Sequence, residues 1–498
     1  MLIGKKFLPL FLILSAFIVG ASVIKGVPFL FGLCIVIFAA GICYSLADLR
    51  NRAALLIFLM SFFIFLIGGE MTKLYFGMGF GPEFGKEIDE HSYLCLVISL
   101  TGVLVGFFGA NFVVMKPKSP DGISDLSSSS DSALSLVQRI SLAGIYITFI
   151  PALIKALDAG RYVAENGYAS LYSTYKTTLP TVIITLAQMF TMLVYIYLAT
   201  LPRKKNCIIP LVLYLSYGAL GLLSGRRLLL GTTVLLIIFY LIVRNKVTPE
   251  ENWLDRKKVI VLIIAASCLM AFLYAYKYIR YGQNVERTGI FSMFMSFFNQ
   301  QGESINVIKY QKQLEGDQLK FTSFYYTIGY FRRSILTRGF SSFPRELYDL
   351  RTRATALYTN NLADYIIYKV KPDSYYAGYG YGTSYIAETY HDFGYAGVTI
   401  YSFIFGWALN KLYSFRKKYA SVWRIAIALM ILDSITVLPR YGADSLLQPF
   451  YNLTNMTVFI VLVFLCRHAR ISLASKDTAG SEEDAMAIRS DDAKDGKT

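Results

Sequence analysis

The sequence predicts an all-α polytopic membrane protein with about twelve transmembrane helices. Three observations carry that expectation. Hydrophobic residues fill 55% of the 498 positions and charged residues only 16%, with a mean hydropathy of +0.47. Apolar runs close to the roughly twenty residues that cross a hydrocarbon core recur almost end to end. Basic residues fall in alternate connections, as the positive-inside rule requires. A β-barrel does not fit, because backbone groups in lipid must bond internally and a barrel needs alternating strands of about ten residues.

Spans are expected at 7–24, 27–47, 53–69, 92–115, 140–157, 181–201, 207–224, 228–243, 259–276, 395–413, 424–439 and 449–466. The first follows Lys5 and Lys6 and reads as a retained helix rather than a signal peptide, since losing it would upset the charge alternation. One side receives Arg50 and Arg52, Lys116, Lys118 and Arg139, Arg203 to Lys205, Arg244 to Lys258, Arg416 to Lys418, and Arg467 and Arg470. The other receives the acidic loop "EMTKLYFGMGFGPEFGKEIDE" and the mixed loop "DAGRYVAENGYASLYSTYKTT". Both termini are therefore expected in the cytoplasm. The net charge of +16 matters here through its placement, not its total.

Nine helices are thus expected over 1–276, a large outer loop with short helices over 277–394, three helices over 395–470, and a disordered tail over 471–498. The tail is polar and charge-rich, with too little apolar content to fold alone. Structureless loops as long as 277–394 are uncommon and are usually functional. All six cysteines lie in or beside apolar segments, so neither a disulfide framework nor a thiolate metal site is expected.

Residues 207–243 form one apolar run interrupted only by "SGRR", with Arg226 and Arg227 side by side. As a single helix the run would be about 55 Å long against a core of about 30 Å, so the chain must turn there. Arginine near a bilayer centre costs about 2.5 kcal/mol or more. A helix beginning at Arg227 points its free N–H groups and positive dipole end at the same surface. Two guanidiniums there suit a phosphate or pyrophosphate held bidentately. Interfacial snorkelling is the plainer alternative. Arg280 and Arg440 also stand at membrane boundaries, each followed by Tyr-Gly, and are candidates for the same anion. Within the large loop, Arg332, Arg333, Arg338, Arg345, Arg351 and Arg353 fit solvated or salt-bridged surface roles.

The segment "SYIAETYHDFGYAGVTIYSFIFGWALNKLY" closes the loop and enters the tenth span. Glu388 and His391 are three apart on a short helix expected to end at Gly394, so they share a face. A carboxylate and an imidazole beside a membrane cavity suit general-base work; structural hydrogen bonding is the alternative. Seven tyrosines crowd residues 375–395, among them Tyr379 and Tyr381. Their flat rings suit sugar faces and equally a membrane-interface belt. Asp433 in the eleventh span suits ion coupling or a helix-packing hydrogen bond. No zinc spacing, phosphate loop, nucleophile elbow or dinucleotide fingerprint occurs. No metal, cofactor or nucleic-acid partner is expected.

With "SGRR" after an apolar span, one large late loop, and an acidic residue before an F-G-x-x-G step, the chain resembles the Wzy-type oligosaccharide repeat-unit polymerases, or O-antigen polymerases. That resemblance implies a fold like the C-type glycosyltransferases in a bacterial inner membrane, with the large loop and active site in the periplasm. It implies joining of undecaprenyl-pyrophosphate-linked repeat units, beside a partner that sets chain length. Glu388 or His391 would then be the base, Arg226, Arg227, Arg280 and Arg440 the pyrophosphate ligands, and Tyr379 and Tyr381 the sugar contacts. Related O-antigen ligases share arginines and a loop histidine, so His391 keeps a ligase-like reading open. A flippase for the same lipid-linked sugars is the competing class; the asymmetry between the two halves argues against the repeat symmetry usual in transporters.

Overall fold

The computed structural model describes residues 8–79, 81–112, 127–280, 289–316, 324–333, 351–413 and 422–469. Ten helices among them are long and apolar enough to cross a membrane, and the bent pair Ala443–Tyr451 and Leu453–Ala469 makes an eleventh. No strand occurs among the described residues. The tail 471–498 and the loop residues Arg338 and Arg345 lie outside the described residues.

The first nine spanning helices are α1 (Leu8–Lys25), α2 (Phe29–Ala47), α3 (Asn51–Phe76), α4 (Lys86–Gly109) and α5 (Ala133–Asn166), then α6 (Thr181–Ala199), α7 (Lys204–Ser224), α8 (Arg227–Asn245) and α9 (Lys257–Tyr276). Prolines preset two of the starts: Pro28 and Pro180 occupy the positions just before α2 and α6. A left-handed glycine, Gly77 at φ +67°, stops α3 by returning its N–H to Lys73 O. The long run 207–243 breaks at Ser224–Arg226. There α7 tightens into a 3-10 turn, Gly225 takes φ +76°, and Arg226 N–H donates to Gly221 O at 2.9 Å.

After α9 the chain lies across one end of the bundle as short helices, α10 (Ile290–Gln301), α11 (Ile305–Gln313) and α12 (Leu362–Val370). It then re-enters through α13 (Tyr385–Tyr413), kinked at Gly394, and finishes with α14 (Val422–Val437) and α15 (Leu453–Ala469). The expected tenth span, 395–413, is the second half of α13 and is not among the ten or eleven. Its polar groups are spent inside the bundle: Ser402 bonds Ser99 on α4, and Asn410 bonds Phe107 O on the same helix. The two helices touch backbone to backbone. A Cβ on Gly106 would meet Phe403 O at 2.1 Å, and one on Gly406 would meet Val103 O at 2.1 Å, so small residues at both positions set the approach.

Lipid-facing and interior helices separate clearly. α1 buries none of its hydropathic window and α9 only 11%, whereas α3 buries 72%. The core runs through α2, α3, α4, α6, α13 and α14. The up-and-down order places the ends of α3, α5, α7 and α14 and the starts of α4, α6 and α8 at the end covered by the short helices.

Candidate functional site

Arg440 ends the 3-10 turn that follows α14, and its guanidinium donates to Gln301 Oε1 at 3.4 Å, at the end of α10. Its stem lies against Gly382, on the strand of chain leading to Glu388. Two residues on, the Glu388 carboxylate presses on Gly442: a Cβ there would sit 2.8 Å from both carboxylate oxygens, so only glycine fits. Glu388 Oε2 accepts the Ala443 N–H at 2.8 Å and Oε1 accepts the Thr383 hydroxyl at 2.9 Å. Glu388 is 5% exposed. The loop Arg440–Ala443 is therefore gripped by the proposed base itself.

Arg226 also acts on this loop through its charge. Burial and the charge of Asp433 push the Tyr441 hydroxyl pKa up, while the nearby charges of Arg440 and Arg226 pull it back down. Tyr441 thus lies within the field of both arginines. Arg226 also acts on Tyr175, whose hydroxyl is pushed up by burial and by its 2.6 Å hydrogen bond to Asp158. The charge of Arg226 acts as well on Lys155, on α5. Packing explains the approach, since a Cβ on Gly160 of α5 would sit 2.8 Å from Leu223 in the turn that leads to Arg226. The side chains of Lys155 and Arg226 have no hydrogen-bond or ion-pair partner among the described residues. Two like charges acting on one another favour an anion beside them.

The neighbouring arginine is differently placed. Arg227 donates to Leu273 O on α9 at 3.0 Å, so it braces α9 against the turn, and Arg226 is the member of the pair that faces the Arg440 loop. The Arg280 side chain lies outside the described residues.

His391 lies one helical turn beyond Glu388, and its Nδ1 is 2.9 Å from Asp392 Oδ1. The Asp392 side chain is 0% exposed and accepts Tyr326 N–H, Thr327 N–H and the Thr327 hydroxyl. The imidazole also meets the Tyr326 ring edge-on at 4.6 Å. Its Nε2 has no partner among the described residues. Such a pairing fixes the ring and leaves one nitrogen available as a proton acceptor.

The tyrosines divide. Tyr375 and Tyr385 are fully buried and Tyr390 nearly so, which makes them core. Tyr379 is 43% exposed, and its carbonyl accepts from Arg351, which also bonds Tyr375 O. Tyr381 is half-buried, its ring 5.2 Å from Tyr310. Asp433 keeps one shielded oxygen without a hydrogen-bond partner among the described residues, close enough in charge to act on Tyr195, Tyr214 and Tyr217.

Sequence reasoning missed three groups. Lys155 carries the same signal as Arg226, a cation inside an apolar run, and was legible by the same rule. Asp392 was visible only as the neighbour of His391. Gln301 carries no sequence signal, because an amide in a loop is ordinary.

The sequence profile of the family O-antigen polysaccharide polymerase Wzy matches residues 6–469. No curated protein and no solved structure matches the chain.

Proposed function

The chain belongs to the O-antigen polysaccharide polymerase Wzy family, and we propose that it joins undecaprenyl-pyrophosphate-linked oligosaccharide repeat units into a polysaccharide at the periplasmic face of the bacterial inner membrane. The observation that carries this reading is the convergence of Arg226 and Arg440 on Tyr441, with Lys155 beside Arg226, on the loop whose next residues hold the Glu388 carboxylate.

In the proposed step, the growing chain is attached through its anomeric carbon to the lipid pyrophosphate. A hydroxyl of the incoming repeat unit attacks that carbon, and its proton passes to Glu388. The new glycosidic C–O bond forms as the bond to pyrophosphate breaks. Arg226, Lys155 and Arg440 hold the charge that appears on the departing lipid pyrophosphate. One in-line displacement inverts the anomeric centre. Three cations in reach of the leaving group support a metal-independent reaction, because they supply the charge a divalent ion would otherwise bring. Tyr379 and Tyr381, on the approach to Glu388, contact the sugars in this reading.

His391 as base is the second reading, the ligase-like one. The observation favouring it is the Asp392 contact, which orients the imidazole and leaves Nε2 available. The testing experiment supplies purified protein with a lipid-linked repeat unit and separates the products by length. A ladder of multiples supports polymerisation. A single transfer to a different lipid acceptor, with no ladder, would point to the ligase-like reaction instead.

A further inference from the structure

The two halves of α13 fold back on each other. Tyr385 and Tyr401 would stand about 24 Å apart in a straight helix at 1.5 Å per residue, yet their rings lie 5.3 Å apart. Gly394 makes the reversal, with φ +64° and ψ −156°, a conformation that residues with a Cβ rarely take. The halves then press together: a Cβ on Gly397 would sit 2.4 Å from Thr389 O. Glycine permits this turn without fixing its angle, because its torsions are the least restricted of any residue. The angle has to be set by neighbours.

α4 supplies them. His91, Cys95 and Ser99 follow at four-residue spacing and share one face of that helix. His91 Nδ1 lies 2.8 Å from the Tyr395 hydroxyl, just after the turn. The same imidazole meets the Tyr390 ring, just before the turn, edge-on at 4.4 Å. Its Nε2 faces Cys95 Sγ at 3.6 Å, and the residue is 5% exposed. With both ring nitrogens engaged inside the bundle, His91 is placed to hold rather than to react. About two turns along α4, Ser99 Oγ bonds the Tyr385 hydroxyl of the first half at 2.5 Å and the Ser402 hydroxyl of the second at 3.1 Å. α4 therefore clasps both halves at two levels.

What the angle controls is visible at Ala443. Glu388, in the first half, accepts the Ala443 N–H at 2.8 Å, and Tyr401, in the second, donates its hydroxyl to Ala443 O at 2.5 Å. The loop that carries Arg440 is thus held between the halves. Glu388 stands about 9 Å from Gly394 along the helix, so a change of about 10° at the turn moves it by about 1.5 Å. A misplacement of about 1 Å can cost about a hundredfold in rate.

We propose that His91 is a positioning residue for glycosyl transfer: through Tyr395 and Tyr390 it sets the angle at Gly394, and with it the place of Glu388 against the Arg440 loop. The assignment rests on the glycosyl-transfer reading for its purpose, while one of its readouts needs no turnover.

His91→Ala should lower kcat for chain extension by about ten- to a hundredfold, with KM for the lipid-linked unit little changed. His91→Asn puts an amide where Nδ1 stands and should restore most of the rate. Tyr395→Phe removes one hydroxyl and keeps the ring; it should reproduce the loss and guards against a histidine variant that fails to fold. The double variant His91→Ala/Tyr395→Phe should be no slower than the slower single, because both act through one contact. Hydrogen exchange at backbone amides 386–393 should quicken in His91→Ala and in Tyr395→Phe. Full kcat in His91→Ala, a loss carried by KM alone, equal losses in the alanine and asparagine variants, or losses that multiply in the double variant overturn the proposal, as does unchanged exchange. A wild type that makes a ladder while His91→Ala extends normally keeps the polymerase reading and loses the positioning role. A wild type that makes no ladder, with exchange quickened in both single variants, keeps the clasp on α13 and loses the polymerase reading.

Discussion

Replacing Glu388 with glutamine separates a catalytic carboxylate from a structural one. In the wild type the side chain accepts hydrogen bonds from Ala443 N–H and the Thr383 hydroxyl. Glutamine keeps the shape: its carbonyl oxygen can face Ala443 N–H, and its amide can donate to Thr383, whose hydroxyl rotates. Bonds to a charged acceptor, worth about 1.5–3 kcal/mol each, become neutral ones worth about 0.5–1.5 kcal/mol. For two bonds the expected loss is about 2–3 kcal/mol, which a typical domain with about 5–15 kcal/mol of stability survives. A lost general base slows chemistry by about 10²–10⁴-fold, or about 2.7–5.4 kcal/mol of barrier. The two effects are read on different instruments. Thermal unfolding of Glu388→Gln should show a modest drop with a single transition. Initial rates of chain extension, per folded protein, should fall by at least a hundredfold while binding of the lipid-linked substrate persists. His391→Ala should be milder. Near-normal extension by Glu388→Gln would refute the assignment and leave Glu388 as the clasp of the Arg440–Ala443 loop; collapse in His391→Ala alone would move the base to the imidazole.

The remaining expectations concern the cations and the imidazole's support. Arg226→Ala and Lys155→Ala should each weaken binding of inorganic pyrophosphate, measured by calorimetry, and wild-type affinity in both would remove the cradle. Arg227→Ala should instead lower thermal stability by about 1.5–3 kcal/mol through the lost bond to Leu273 O, with pyrophosphate binding retained; the opposite pattern would exchange the roles of the two arginines. Chain extension should survive exhaustive EDTA treatment, and a strict need for added magnesium would hand the leaving-group charge to a bound cation. If Asp392 acts through His391, the double variant His391→Ala/Asp392→Asn should be no slower than His391→Ala alone, with kcat affected more than KM. Multiplying losses would make Asp392 purely structural.

Run length and charge placement are properties of the chain in one dimension, so the sequence by itself determined the all-helical membrane architecture and the forced turn at "SGRR". A lipid core of fixed thickness permits little else. The family too was legible, since its motifs are contiguous. Direction was not. Arg226 and Arg227 are adjacent in sequence, yet one faces Lys155 and Tyr441 and the other Leu273, because the turn sends successive side chains toward different helices. The partner of 395–413 was equally out of reach: Ser402 and Asn410 bond α4, some three hundred positions away. The same holds for Glu388 on Ala443 and for Arg440 on Gln301. These contacts were decided by tertiary packing alone, because hydrogen-bond partners are chosen by distance in space, and no spacing along a chain encodes which helix ends will meet.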